Sequence, residues 1–221
     1  MNFPKGSSWL TWQRDYRYGL LVIVPPPEIA SVLDAIRERL DPVSAATFGA
    51  HITVTPPFAA APSAADEERV ETAIRIVASM RLQLDRPTQF SGSSVVYLPV
   101  VPSHGVYALR TALLSTGLFR LDLPHTSDFV PHLTLSEFGG APEDAFRANF
   151  LQPKAMAFLL DKVAWVVSDE AFHFTVRRTF RLGYGGATTP RTGPIRSRCK
   201  RFASFRAVDN HAPMPPDCAP L

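Results

Sequence analysis

Two pentapeptides, HITVT from His51 and HLTLS from His132, share the order histidine, aliphatic, threonine, aliphatic, hydroxyl residue and lie 81 positions apart. The likeness extends to their surroundings. Tyr18 to Val24 (YGLLVIV) is an apolar run stopped by Pro25 and reads as a buried strand. PPPEIASVLDAIRERL follows with Ile29, Val32, Leu33, Ile36 and Leu40 at helical spacing, and the His51 strand comes next. In the second half SSVVYLPV is the strand, SHGVYALRTALLSTG the helix with Ser103 as cap and Gly117 as stop, and the His132 strand closes the unit. Gly19 precedes His51 by 32 positions and Val95 precedes His132 by 37. A duplicated strand, helix, strand unit is the economical reading, and it places the chain in the α+β class.

The remaining segments fit around these units. PSAADEERVETAIRIVASM reads as a further helix with acidic residues at its N-terminus and Val70, Ile74 and Val77 facing inward, and another helical stretch starts near Pro142. MAFLLDKVAWVVSD and FHFTVRRTFRL read as a hairpin with Phe172, Phe174, Val176, Phe180 and Leu182 on its inward face. The expected organisation is a loosely held N-terminal extension over residues 1–16, a folded domain over 17–183, and a basic, Pro-rich, disordered tail over 184–221.

Side chains alternate along a strand, with i and i+2 on one face roughly 6 to 7 Å apart. His51, Thr53 and Thr55 are therefore expected on one face, and His132, Thr134 and Ser136 likewise, with Ile52, Val54, Leu133 and Leu135 opposite. On this alternation Glu137 points away from the histidine face and Ser136 toward it. Each motif mounts an imidazole beside a hydroxyl. Two imidazoles flanking one substrate serve as general base and general acid near neutral pH, since the free side chain titrates at about 6.5. Phosphodiester chemistry uses that pairing, with threonine hydroxyls donating to phosphate oxygens, and it requires neither a metal nor another cofactor.

Composition limits the partners. Of 221 residues, 46% are hydrophobic, enough for a packed core. The net charge of +3 is concentrated in residues 184–221, where six Lys or Arg face two Asp, so the body carries about −1. Non-specific backbone binding needs a broad basic surface, so a small or single-stranded ligand fits better than a duplex. Cys199 and Cys218 both lie in the tail, so the body has no disulfide framework or CxxC metal site and the reducing cytoplasm is the expected compartment. The N-terminus is unlike a signal peptide and no segment is long and apolar enough to span a bilayer. A monomer is expected.

HITV at His51 to Val54 and HLTL at His132 to Leu135, with the flanks AHITVTPPF and FVPHLTLSEF, resemble the signature of the 2H phosphoesterases, also called the 2′-5′ RNA ligase or cyclic phosphodiesterase superfamily. The resemblance covers roughly residues 18 to 182. It implies two pseudo-symmetric lobes, each an antiparallel sheet with flanking helices, facing a central cleft. It further implies a metal-independent opening of 2′,3′-cyclic phosphates on RNA ends or small nucleotides to 2′-phosphates, with 2′-5′ ligation as the reverse. By the same resemblance His51 and His132 are the acid/base pair and Thr53 and Thr134 bind the phosphate, with His51 the acid and His132 the base by analogy alone.

Other readings stand beside this one. A strand histidine alone is more often structural than catalytic, and a non-catalytic module that holds RNA or nucleotide phosphates would keep the same cleft. His125, Asp128 and His132 lie close along HTSDFVPH, but no HxxxH or HExxH helix supports a metal site. Ser136, Phe58 and His125 are accessory candidates, Phe58, Phe138, Tyr97 and Tyr107 could stack on a base, and Arg177 could reach a phosphate. A GxSxG elbow, a Walker loop and a dinucleotide fingerprint are all missing from the sequence.

Overall fold

The structure, a computed structural model, describes residues 3–124, 126–137 and 156–183. The helical stretch expected near Pro142, Phe138, His125 and the tail lie outside these residues. The strands are β1 (Leu20–Ile23), β2 (Ile52–Thr53), β3 (Met80–Leu84), β4 (Thr88–Gln89), β5 (Val96–Val101), β6 (His132–Ser136), β7 (Ala157–Leu160), β8 (Lys162–Ser168) and β9 (Phe174–Arg181). The helices are α1 (Pro27–Leu40), α2 (Pro42–Thr47), α3 (Ala64–Arg75) and α4 (His104–Leu114), and a 3₁₀ turn spans Trp12–Tyr16.

Pro27 opens α1, where its missing N–H costs nothing, and α3 is capped reciprocally by Ser63 and Asp66. Ser103 precedes α4, but its side chain makes no capping bond. β3 (MRLQL) alternates apolar and polar residues as a strand does and adds to the strands expected from the sequence, while β4, two residues long, carries no pattern.

All the strand pairs are antiparallel, and the order is β7-β3-β5-β6-β2-β1-β8-β9, with β4 beside β5. This is a curled α+β half-barrel with a near-symmetry: β1, α1, β2 and β5, α4, β6 are the two repeated units, and their histidine strands meet at the centre. Ile52 pairs with Leu133 at that junction. The two lobes are therefore halves of one continuous sheet.

Alternation sorts the side chains onto two faces. Leu21, Ile23, Ile52, Leu98, Leu133 and Trp165 join α1, α3 and α4 in the main core. Leu20, Val22, Ala164 and Val166 form a smaller cluster on the reverse face with Tyr16, Phe48 and Phe174. β1 is thus buried on both sides, which accounts for its unbroken apolar run.

Two sequence expectations change. Residues 3–16 are fastened rather than loose: the backbone N–H groups of Lys5 and Gly6 donate to the Glu170 carboxylate (2.7 and 3.1 Å), and the Trp9 indole donates to the Glu170 carbonyl (2.9 Å). The signal was invisible because the receiving turn is far along the chain. In the β8–β9 hairpin a register shift between Trp165 and Val166 breaks the alternation, and Val176 is exposed while Phe180 is buried.

Candidate active site

The register at the sheet's centre brings the two motifs together. With Ile52 opposite Leu133, the antiparallel pleat sets His51 against Thr134 and Thr53 against His132, all on the face away from the main core. The two imidazoles are then diagonal neighbours across the strands, about 7–8 Å apart at the backbone, a gap that a phosphate can bridge. The four polar side chains are half-buried, while Ile52 and Leu133 are fully buried beneath them.

Each imidazole is held the same way. His51 Nδ1–H donates to the Gly49 carbonyl at 2.8 Å, and His132 Nδ1–H donates to the Val130 carbonyl at 2.6 Å. In both cases the acceptor lies two residues upstream, so the tautomer is fixed and Nε2 is the nitrogen left to exchange a proton. Burial pushes both imidazoles below their ordinary range, His51 down to about 4 and His132 in the same direction. The Arg37 guanidinium and the neighbouring His132 lower His51 further.

The fifth position of each motif departs from simple alternation, in both copies alike. Val54 and Thr55 are both buried, and so are Leu135 and Ser136. In the first copy the N–H groups of Val54 and Thr55 both donate to the Leu21 carbonyl (2.9 and 3.3 Å). In the second, Tyr97 pairs with Thr134 but the adjacent Val96 pairs with Ser136, so β6 carries one extra residue. A bulge of this kind re-aims every side chain after it. Thr55 consequently turns inward, where its Oγ1 accepts from the Leu21 N–H (3.1 Å). Ser136 is buried instead of facing the site, and Glu137, expected to point away, lines the pocket.

A pocket of about 750 Å³ opens beside His51 and Thr53. His132 and Thr134, on the neighbouring strand, are not among its lining residues; the rings of Phe90 and Tyr97 lie 5.1 and 5.2 Å from the His132 imidazole. Tyr97 is thus close to the site, stacked at 4.0 Å on Phe90. Three other candidates are not. Phe58 is 3% exposed in the core against Phe119 and Trp165, Arg177 lies over the rings of Phe3 and Trp165, and the Tyr107 hydroxyl donates to the Phe129 carbonyl. Among the described residues no group of three His, Cys, Asp or Glu is placed to hold a metal ion.

Sequence reasoning missed the support beneath His51. Arg37 is 2% exposed, donates to the Phe48 carbonyl (2.8 Å) and lies 3.5 Å from Asp34, whose Oδ1 accepts from the Ala50 N–H (2.5 Å). These two α1 residues pin the loop that presents the first imidazole. A signal existed: Arg37 falls one turn after Leu33, on the apolar stripe of an amphipathic helix, where a charge needs a reason. At the end of β6, the Asp41 carboxylate accepts from the Glu137 N–H (2.7 Å), and burial together with Asp41 pushes the Glu137 carboxyl up.

The profile of the 2′-5′ RNA ligase superfamily matches residues 25–171. Among solved structures, TT0787 of Thermus thermophilus superposes with a TM-score of 0.51 at 17% identity, covering 76% of this chain and 98% of that one. LigT of E. coli, complexed with 3′-AMP, gives a TM-score of 0.50 at 23% identity, with 74% and 96% covered. Its apo form gives 0.50 at 21% identity over the same shares. No curated protein matches the chain in sequence.

Proposed function

Since the chain belongs to the 2′-5′ RNA ligase superfamily, we propose that it is a metal-independent phosphodiesterase that opens 2′,3′-cyclic phosphates of nucleotides or RNA ends to 2′-phosphates. Family and fold support phosphoesterase-type chemistry; the finer reading rests on one observation. Two imidazoles, each tied through Nδ1 to a carbonyl two residues upstream, share one sheet face with a threonine opposite each.

In the reaction, one imidazole takes a proton from water as its oxygen attacks phosphorus. The P–O3′ bond breaks, and the second, protonated imidazole hands its proton to O3′. Thr53 and Thr134 donate to the non-bridging oxygens as their charge grows. With a ribose 5′-hydroxyl in place of water, the same geometry forms a 2′-5′ link. The surroundings favour His51 as the base: burial, with a smaller contribution from Arg37, holds it neutral, ready to accept a proton. Burial lowers His132 as well, but no cation is among the causes, so it is the readier of the two to carry the acid's proton. This reverses the order that the resemblance implied.

The test is hydrolysis of 2′,3′-cyclic nucleotides in EDTA by the parent, His51→Ala and His132→Ala. Each substitution is expected to cut turnover by about 10² to 10⁴. Full activity in either variant would sink the two-histidine mechanism. An inert parent that still binds nucleotides would point to a non-catalytic binding module, and loss of the parent's activity in EDTA to a metal hydrolase.

A further inference from the structure

The site face is lopsided about its near-symmetry axis. On the His51 side, Leu20, Val22 and Val166 form an apolar floor continuous with Thr53. Around it stand five rings, those of Trp12, Tyr16, Phe48, Phe172 and Phe174. Trp12 meets Phe172 at 5.4 Å, Phe172 meets Phe174 at 5.1 Å, and Phe48 lies 4.9 Å from His51 itself. All but Phe48 of these rings fall outside the family match, which spans residues 25–171.

One wall is built at a cost. Phe172 has φ of +66°, a conformation that a bulky residue adopts only when its surroundings insist. They do so here: Asp169 Oδ1 accepts from the N–H groups of Ala171 and His173, and the Phe172 ring is gripped by Trp9 as well as Trp12. The same loop closes the β8–β9 hairpin, where the Phe172 N–H donates to the Asp169 carbonyl (3.1 Å), so the turn holds the ring in place. The adjoining wall is the 3₁₀ turn of residues 12–16, whose leading segment is anchored through Glu170.

We propose that this chamber holds the nucleobase of the nucleoside whose phosphate lies between the histidines, with residues 9–16 as the selectivity wall. The inference rests on the function proposed above. The chemistry of the chamber identifies its occupant: rings and an apolar floor accept a planar heteroaromatic ring, and 750 Å³ is the size of a small-ligand site. Glu137 offers a carboxyl group that can accept from a base N–H, and the Arg37 guanidinium, which donates to the Phe48 carbonyl and lies beside Asp34, also lines the chamber. Further nucleotides of an RNA would leave on the His132 side.

Equilibrium binding to the full chain tests this without requiring turnover. The probes are adenosine and guanosine 2′-monophosphate, ribose 5-phosphate and inorganic phosphate, titrated calorimetrically. The parent should bind a nucleotide at least about tenfold more tightly than ribose 5-phosphate, as one stacked base allows. Trp12 is 50% exposed, so Trp12→Ala should fold, and it should collapse that ratio toward one. Phe174→Ala, with folding checked by circular dichroism, should do the same. Equal affinity of the parent for nucleotides and ribose 5-phosphate, no measurable binding, or a ratio untouched by both substitutions would overturn the chamber. Base discrimination without hydrolysis would defeat the proposed function and leave the chamber standing; hydrolysis without discrimination would do the reverse.

Discussion

An imidazole whose Nδ1–H is committed to a carbonyl has a single nitrogen for chemistry, and both His51 and His132 are in that state. The identity of these residues was readable from the motif; their unequal electrostatics were not, because Arg37 reaches His51 only through the fold. The inequality has a consequence for stability. In the folded protein His51 is held at about 4, against about 6.5 when unfolded. Between those values the unfolded chain binds a proton that the folded chain refuses. Its contribution is therefore complete above the unfolded value and is lost as pH falls from about 6.5 toward 4, by at most about 3 kcal/mol. Urea unfolding of the parent and His51→Gln at about pH 7.5 and pH 4.5 checks this: the acid loss should shrink in the variant, and equal losses would contradict it.

Strand alternation predicted the faces of four residues in each motif, then failed at the fifth in both. The extra residue of a bulge is decided by the partner strand's hydrogen bonds, such as the shared Leu21 carbonyl, and leaves no mark on a strand's own pattern. Thr53 and Thr55 look alike in sequence but carry different work. Thr55→Val removes the buried acceptor of the Leu21 N–H and should cost about 1–3 kcal/mol of stability. Thr53→Val should leave the urea midpoint near the parent's and lower cyclic nucleotide hydrolysis by about 10². Denaturation and kinetics on the pair would show the two effects separated; a shared phenotype would count against the bulge's role. The same phase slip replaced Ser136 by Glu137 at the pocket, a swap that periodicity could not foresee.

At the scale of the molecule, the two halves of the sheet pair at its centre through Ile52 and Leu133, with α1 packed on β6 and α3 on α4 around that junction. Ile52 and Leu133 are fully buried and opposed at the sheet's centre, directly behind the four polar side chains. Ile52→Ala and Leu133→Ala should each cost about 2–5 kcal/mol, and because the residues touch, the double variant should lose less than the two together by about 0.5 kcal/mol or more. Full additivity in urea titrations would mean that these two side chains are not energetically coupled. The sequence by itself determined the repeated units, the α+β class and the histidine and threonine pairs, because periodicity and motif order are local properties carried within a few tens of residues. Only the tertiary structure decided that the lobes form one sheet, that Glu137 rather than Ser136 reaches the pocket, and that Trp12 and Phe172 wall the His51 side. Those outcomes depend on partners such as Trp9 and Glu170, 161 positions apart, and no local pattern encodes which distant surface a segment will bury against.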